Sequence, residues 1–429
     1  MLIRVQYKNL LSFNNEVEFN MLPNLKRQSL PSHIINREQL PLLKMAAVYG
    51  PNGSGKSNLV KGLNFLRQFV IQKDYVMMLK AEGDFDRLFF RLKKEVQPFK
   101  ILIEFSVNGL FFIYHIKISH NGVDKEELLE SGVGKKENVL VFKREGDTFT
   151  AHTTPSSEMS TAIQTLLRKN RFSSLLSLND SFPVLSDKRA EMAFSWFKNR
   201  LVVYDINTRI PSLLEMLRKN KKILDFTNLI FQKLGLGIDN VSVNEEDYES
   251  WASKHQMLSL PLASKDRRNG VIALFHNQTQ AYTVIKNKVY SFLFKQRGEN
   301  GYVGDLDAIS QSDGTIKLLT LLPAIYDSIN KDKTVVIDEI NNCLHPSIVE
   351  GIVGLFANND NSKGQLVFTT HDIELLDVKD IMRSDEIWFT DKRDGGTIMY
   401  SHNIFKEHNT LSILRGYKEG RFGAIKYID

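Results

Sequence analysis

The sequence predicts an α/β fold: a P-loop head with a parallel core sheet, an antiparallel β-subdomain and an inserted, mostly helical subdomain. Three observations predict it. Gly50-Pro51-Asn52-Gly53-Ser54-Gly55-Lys56-Ser57 is a complete Walker A run between an apolar stretch and a helical pattern. Thr334-Val335-Val336-Ile337-Asp338-Glu339 is an apolar β run ending in two acids. Gln365-Leu366-Val367-Phe368-Thr369-Thr370-His371 is another, ending in a histidine. Unbroken apolar runs of this length suit parallel strands buried on both faces.

Each element has a local reason. Met45-Ala46-Ala47-Val48-Tyr49 reads as a buried strand, and Leu59, Leu63, Leu66 and Val70 recur at helical spacing after the loop. Two β-rich runs, 101–107 and 110–118, flank Asn108-Gly109, a strong hairpin signal. Asn121-Gly122 marks another turn, and 139–143 with 148–152 suggests a hairpin around Glu145-Gly146. These runs predict an antiparallel meander. Apolar residues at helical spacing over 161–167, 188–201 and 212–234 predict helices, and short strands return from 241 to 288. Gln311-Ser312-Asp313-Gly314-Thr315 then opens an amphipathic helix through Ile316, Leu318, Leu319, Leu322 and Ile325. The expected division is an N-terminal lobe over 1–153, the insert over 154–300 and a C-terminal lobe over 301–429.

The chemistry follows from residue types. Glycines let backbone N–H groups face a β-phosphate at a helix N-terminus, so Asn52, Gly53, Ser54, Gly55, Lys56, Ser57 and Asn58 are the expected nucleotide ligands. Lys56 would reach the β- and γ-phosphates of ATP, and Ser57 with Asp338 would hold Mg²⁺. Glu339 is the expected general base, and His371, at a strand's C-terminal edge, is placed to contact the γ-phosphate. Ser312 could be a simple N-cap. The order of elements argues for more: Walker A, Ser-x-Gly at a helix start, Walker B and strand-histidine is the layout of ATP-binding-cassette ATPases. In that layout Ser312 and Gly314 of one subunit complete the ATP site of another, so ATP should hold a homodimer, or a higher oligomer, together.

Further runs carry a family resemblance. They are Asn9-Leu10-Leu11-Ser12-Phe13, Ile337-Asp338-Glu339-Ile340-Asn341-Asn342-Cys343-Leu344-His345-Pro346, Arg383-Ser384-Asp385-Glu386-Ile387-Trp388-Phe389, and the stretch 416–425 with its Gly420-Arg421-Phe422-Gly423. With these the chain resembles stand-alone ATPases of bacterial abortive-infection and phage-defence systems, related to OLD, RecF and SMC heads. PtuA-like proteins of Septu and retron systems, and AriA-like proteins of PARIS systems, belong to that group. The resemblance implies an ATPase that senses infection and controls a separate effector, an HNH nuclease (favoured) or a Toprim nuclease. A RecF-like DNA-repair ATPase is the alternative. Cys343 departs from the serine usual before Leu-His-Pro, in a loop that would touch the partner subunit. The Mg²⁺-sensing glutamine is not assigned; Gln68, Gln72 and Gln97 are equal candidates.

Composition narrows the class. A single cysteine excludes an internal disulfide framework. No apolar run approaches the ~18 residues of a membrane span, and the start lacks a signal-peptide pattern, so a cytoplasmic protein without membrane contact is expected. A formal charge of +6 permits nucleic-acid contact. Basic residues cluster in the insert at Arg168-Lys169-Asn170-Arg171, Lys188-Arg189, Lys198, Arg200, Arg218-Lys219-Asn220-Lys221-Lys222 and Lys265-Asp266-Arg267-Arg268; DNA or RNA contact there competes with ordinary helix capping. Phe172, Trp196, Phe197 and Phe226 are spaced for core packing rather than base stacking. His402-Asn403 and His408-Asn409 resemble half of an HNH motif without its surroundings, so no nuclease is expected in cis.

Overall fold

A computed structural model describes residues 1–36, 39–152, 156–181, 187–204, 213–254, 271–276, 279–377, 381–405 and 412–425. The chain divides into two compact units, one of residues 1–206, 327–340 and 353–429, the other of 207–326 and 341–352.

The first unit is built on two sheets. A six-stranded sheet runs in the order Leu201–Tyr204, Thr334–Ile337, Gln365–Thr369, Met45–Tyr49, Ile387–Arg393, Gly396–Ser401. Every pairing in it is parallel except the last, between Ile387–Arg393 and Gly396–Ser401. The histidine-ended strand therefore lies between the Walker A and Walker B strands, and all three end on the same side. A second sheet of seven antiparallel strands contains the expected meander, with Leu2–Lys8 and Val17–Asn20 added at one edge. Asn108 and Gly109 turn its central hairpin with φ of 51° and 80°, the left-handed pair that a two-residue type I′ turn requires.

The helix Lys56–Ile71 shares one apolar core with both sheets. Leu59, Leu63, Leu66 and Val70 are buried as their spacing predicts, but so are Val60, Phe65 and Phe69. A helix apolar on so much of its surface belongs between layers rather than on the outside. Helices Ser157–Lys169, Leu175–Ser181 and Lys188–Ser195 supply side chains to the same core. The helix expected over 188–201 ends as a π-turn, Trp196–Arg200, and Leu201 begins a core-sheet strand. Trp196 stacks on Phe105 with ring centroids 4.3 Å apart, and Phe197 is equally buried, so both are core residues.

The second unit holds helices Leu213–Lys219 and Lys221–Lys233 and a five-stranded antiparallel sheet of Ile238–Asp247, Lys288–Arg297, Thr279–Ile285, Val271–His276 and Val303–Asp307. The basic run Lys265-Asp266-Arg267-Arg268 and His408-Asn409 lie outside the described residues. Among the described residues no helix is long and apolar enough to cross a membrane.

Candidate functional site

The phosphate loop leaves the C-terminal end of Met45–Tyr49 and enters Lys56–Ile71 with Gly55 at φ 112°. A side chain at Gly55 would collide with Thr397 Oγ1, whose hydroxyl holds the Ser54 carbonyl at 2.7 Å and Ser12 Oγ at 2.7 Å. Ser12 in turn accepts from Asn58 Nδ2 at 2.6 Å, and Ser54 Oγ pairs with Thr390 Oγ1 at 2.6 Å. The loop is thus clamped by short hydroxyl side chains from three distant segments.

Asn52, Gly53, Gly55, Lys56, Ser57, Asn58, Glu339 and His371 line one cleft of about 560 Å³. The Lys56 ammonium donates to the carbonyls of Gly50 (2.6 Å) and Pro51 (3.1 Å) inside the loop. Burial pushes the Lys56 amine down to about 8, against the opposing pull of Glu339 and Asp338. Only the charged ammonium attracts a phosphate, so the ATP affinity expected of this loop is complete near pH 7 and falls as pH rises through about 8, by up to tenfold per unit. Nucleotide titrations between pH 7 and 10 check this; an affinity flat across that range removes Lys56 from the contact.

The acids stand at the end of Thr334–Ile337. Asp338 is buried, and Thr369 Oγ1 donates to its Oδ1 at 2.6 Å. The Glu339 amide donates to the same hydroxyl at 2.7 Å. That bond helps hold Glu339 at φ 47°, an uncommon backbone state for a non-glycine residue and one that clusters at active sites. His371 Nε2 lies 3.4 Å from Glu339 Oε1. The geometry therefore joins Lys56, Ser57, Glu339 and His371 around one space, with Asp338 fixed behind it.

Ser312 and Gly314 belong to the second unit. Ser312 Oγ accepts from the Thr315 amide at 3.2 Å and pairs with Thr315 Oγ1 at 2.9 Å, so it caps the helix Asp313–Asn330. A side chain at Gly314 would press on the Cys343 carbonyl at 2.7 Å. Cys343, whose place beside the Walker B strand predicts a buried small residue, is instead exposed, in a turn where it adopts φ 62°.

Gln68, Gln72 and Gln97 are not among the residues lining the cleft. His402 is a core residue between Phe389 and Phe422, with centroids at 6.0 and 4.7 Å. Among the described residues no cluster of three or more His, Cys, Asp or Glu could hold a metal ion. Arg189 is bound by Asp187 and Glu130, and Arg200 by Asp332; Arg218, Lys219, Lys221 and Lys222 are exposed around one helix–helix turn, where Lys219 pairs with Glu215 at 2.5 Å and Arg218 lies over the Tyr290 ring at 4.6 Å. Thr390, midway along Ile387–Arg393, and Thr397, second in Gly396–Ser401, were not among the expected site residues, and neither carries a local signal. A further hollow of about 280 Å³ adjoins Asn58, lined in part by Ser12, Arg87, Phe89, Arg91 and Lys392.

Residues 45–377 match a protein-family model described as "AAA domain, putative AbiEii toxin, Type IV TA system". No curated protein matches the chain. Among solved structures it is similar to an SMC head bound to the C-winged helix domain of ScpA, at 13% identity and a TM-score of 0.47 over 97% of this chain and 99% of that one. The SMC head domain from Thermotoga maritima gives 12% and 0.38 over 93% and 98%. An Smc head with an extended coiled coil, bound to the C-terminal domain of ScpA derived from Pyrococcus furiosus, gives 13% and 0.42 over 98% of each chain.

Proposed function

The chain belongs to the AAA-domain family whose description names a type IV toxin–antitoxin system, and from that premise we propose that it is a cassette-type ATPase controlling a separate effector in phage defence. The observation that carries the ATPase is the cleft that unites the Lys56–Ser57 loop with Glu339 and His371. Loop amides and the Lys56 ammonium bind the β- and γ-phosphates. Glu339 takes a proton from water as its oxygen bonds to Pγ and the bond to the β–γ bridging oxygen breaks, leaving ADP and phosphate. His371, beside Glu339, holds the γ-phosphate oxygens. The hollow shares Asn58 with the cleft, and the cationic side chains of its wall suit a nucleotide's polar groups.

Ser57 and Asp338 are the residues that would hold Mg²⁺, which when bound neutralises charge on the β- and γ-phosphates. One hydroxyl and one fixed carboxylate suit an ion that draws its remaining ligands from water and phosphate. Ser312 and Gly314 serve the nucleotide of a second copy, so ATP joins a homodimer. Purified protein should hydrolyse ATP with Mg²⁺, and Lys56→Ala should not; turnover retained by Lys56→Ala would defeat the assignment.

The downstream role rests on what the described residues expose: Arg218, Lys219, Lys221 and Lys222 offer a solvent-facing basic turn. The protein is expected to be harmless alone and growth-arresting only with a neighbouring HNH or Toprim effector and a phage-derived trigger. Reversing those four charges should abolish the arrest while basal ATP turnover persists. The same turn favours a second reading, a RecF-like ATPase on DNA. There the reversal would flatten the log–log salt dependence of DNA binding by about 3 to 4. Degradation of DNA or RNA by the purified protein alone, lost in Asp338→Ala, would overturn the separate-effector reading.

A further inference from the structure

The hydroxyls around the phosphate loop have a forced direction of hydrogen bonding. The Asn58 side-chain nitrogen can only donate, the Ser54 carbonyl can only accept, and each hydroxyl between them owns one hydrogen. Ser12 Oγ lies 2.6 Å from Asn58 Nδ2 and 2.7 Å from Thr397 Oγ1, which lies 2.7 Å from the Ser54 carbonyl. All three contacts are hydrogen bonds under one assignment: Asn58 donates to Ser12, Ser12 to Thr397 and Thr397 to the carbonyl. A relay thus joins the first turn of Lys56–Ile71 back to the loop across Gly55, which stands at φ 112°. A second relay holds the same serine from its side chain. Ser54 Oγ lies 2.6 Å from Thr390 Oγ1, which donates to the Tyr49 carbonyl at 3.3 Å.

The relay also gives a role to the run Asn9–Phe13, which phosphate chemistry alone leaves without one. Asn9 and Leu11 stand at φ 55° and 51°, left-handed states that non-glycine residues keep only where their surroundings impose them. The Thr397 amide donates to the Ser12 carbonyl at 2.7 Å, so main chain and side chain together dock this run on the strand Gly396–Ser401. Ser54, Thr390 and Thr397 are all buried, where a lost partner is costly. Neither threonine lines the nucleotide cleft, so each acts on ATP only through the loop.

We propose that Thr397 is a positioning residue for ATP: between Ser12 and the Ser54 carbonyl, it holds the Gly55 turn in the shape that presents the loop amides to the phosphates. The proposal rests on the ATPase reading above. Without the hydroxyl, the Ser54 carbonyl loses its donor and Ser12 its acceptor, and the empty loop is free to leave this shape. ATP binding must then re-form the loop, so affinity falls. Once bound, the phosphates themselves hold the amides, so turnover at saturating ATP falls much less.

The test compares Thr397→Ser with Thr397→Ala, which both lack the methyl group and differ only in the hydroxyl. Equilibrium ATP binding and steady-state turnover are measured on each, on Ser12→Ala and on the double variant Ser12→Ala with Thr397→Ala. Thr397→Ala should weaken ATP binding by roughly two- to tenfold with turnover at saturating ATP changed less than about twofold, and Thr397→Ser should bind like wild type. A hydroxyl that only stabilised the fold would lower the melting temperature and the active fraction, not the affinity of the folded remainder. Ser12→Ala should match Thr397→Ala, and the double variant should bind no more weakly than either, because one relay is lost only once. Equal affinity in Thr397→Ala and Thr397→Ser, turnover that falls as far as affinity, or single effects that add in the double variant overturns the proposal. If Thr397→Ala does not fold, Ser12→Ala breaks the same relay with Thr397 in place, and unchanged affinity there overturns it equally. Wild-type protein that binds no ATP fails the ATPase reading instead, which separates the two failures.

Discussion

Glu339→Gln should lower ATP turnover by about 10²–10⁴ while ATP still binds, and should accumulate an ATP-bound dimer. The substitution keeps size and hydrogen-bonding shape but removes the carboxylate proposed to accept the proton of water. In the proposed mechanism the Lys56 ammonium and the loop amides act on the phosphates before any bond breaks, so ground-state binding should be untouched. Lys56→Ala should do the opposite and lose ATP binding itself. Equilibrium binding, single-turnover hydrolysis and light scattering on both variants separate the roles. Equal turnover in wild type and Glu339→Gln would remove Glu339 as base, despite its place 3.4 Å from His371.

Ser312→Arg should leave ATP bound in its own loop and block hydrolysis in the facing copy. Ser312 also caps its own helix, accepting from the Thr315 amide, so arginine additionally costs about 1 kcal/mol of cap stability. Ser312→Asp keeps the cap and places a negative charge where the γ-phosphate would meet the serine; it should be equally inactive, which separates the two effects. The decisive measurement mixes Ser312→Arg with Lys56→Ala. Each is inactive alone, but a hybrid dimer has one intact site, formed by the loop of the first and the serine of the second. With random exchange about a quarter of wild-type turnover should return, because half the dimers are hybrids with one of two sites complete. No recovery, with mixed dimers demonstrated by mass spectrometry, would mean that each copy hydrolyses alone.

The most legible parts of the chain were those whose chemistry is contiguous. The loop, the acids and the histidine each follow an apolar strand, because a parallel strand delivers its next residues to the crevice at its end. Asn108-Gly109 was legible for a similar reason: a two-residue hairpin needs left-handed backbone at adjacent positions. Leu201–Tyr204 was not. Four apolar residues directly after a helical pattern read as its continuation, and only pairing with Thr334–Ile337, more than a hundred residues away, makes them a strand.

By itself, then, the sequence determined the phosphate loop, the two acid–histidine strand ends and the antiparallel meander, because each is specified by neighbours in the chain. Tertiary structure alone decided two further things. Ser12, Thr390 and Thr397 clamp the loop, and Thr369 holds both Asp338 and Glu339. Hydroxyls carry no periodicity and no turn signal of their own. Their roles arise when long-range strand pairing brings residues 336 positions apart within one hydrogen bond, as between Ser54 and Thr390, and local sequence has no means of encoding that proximity.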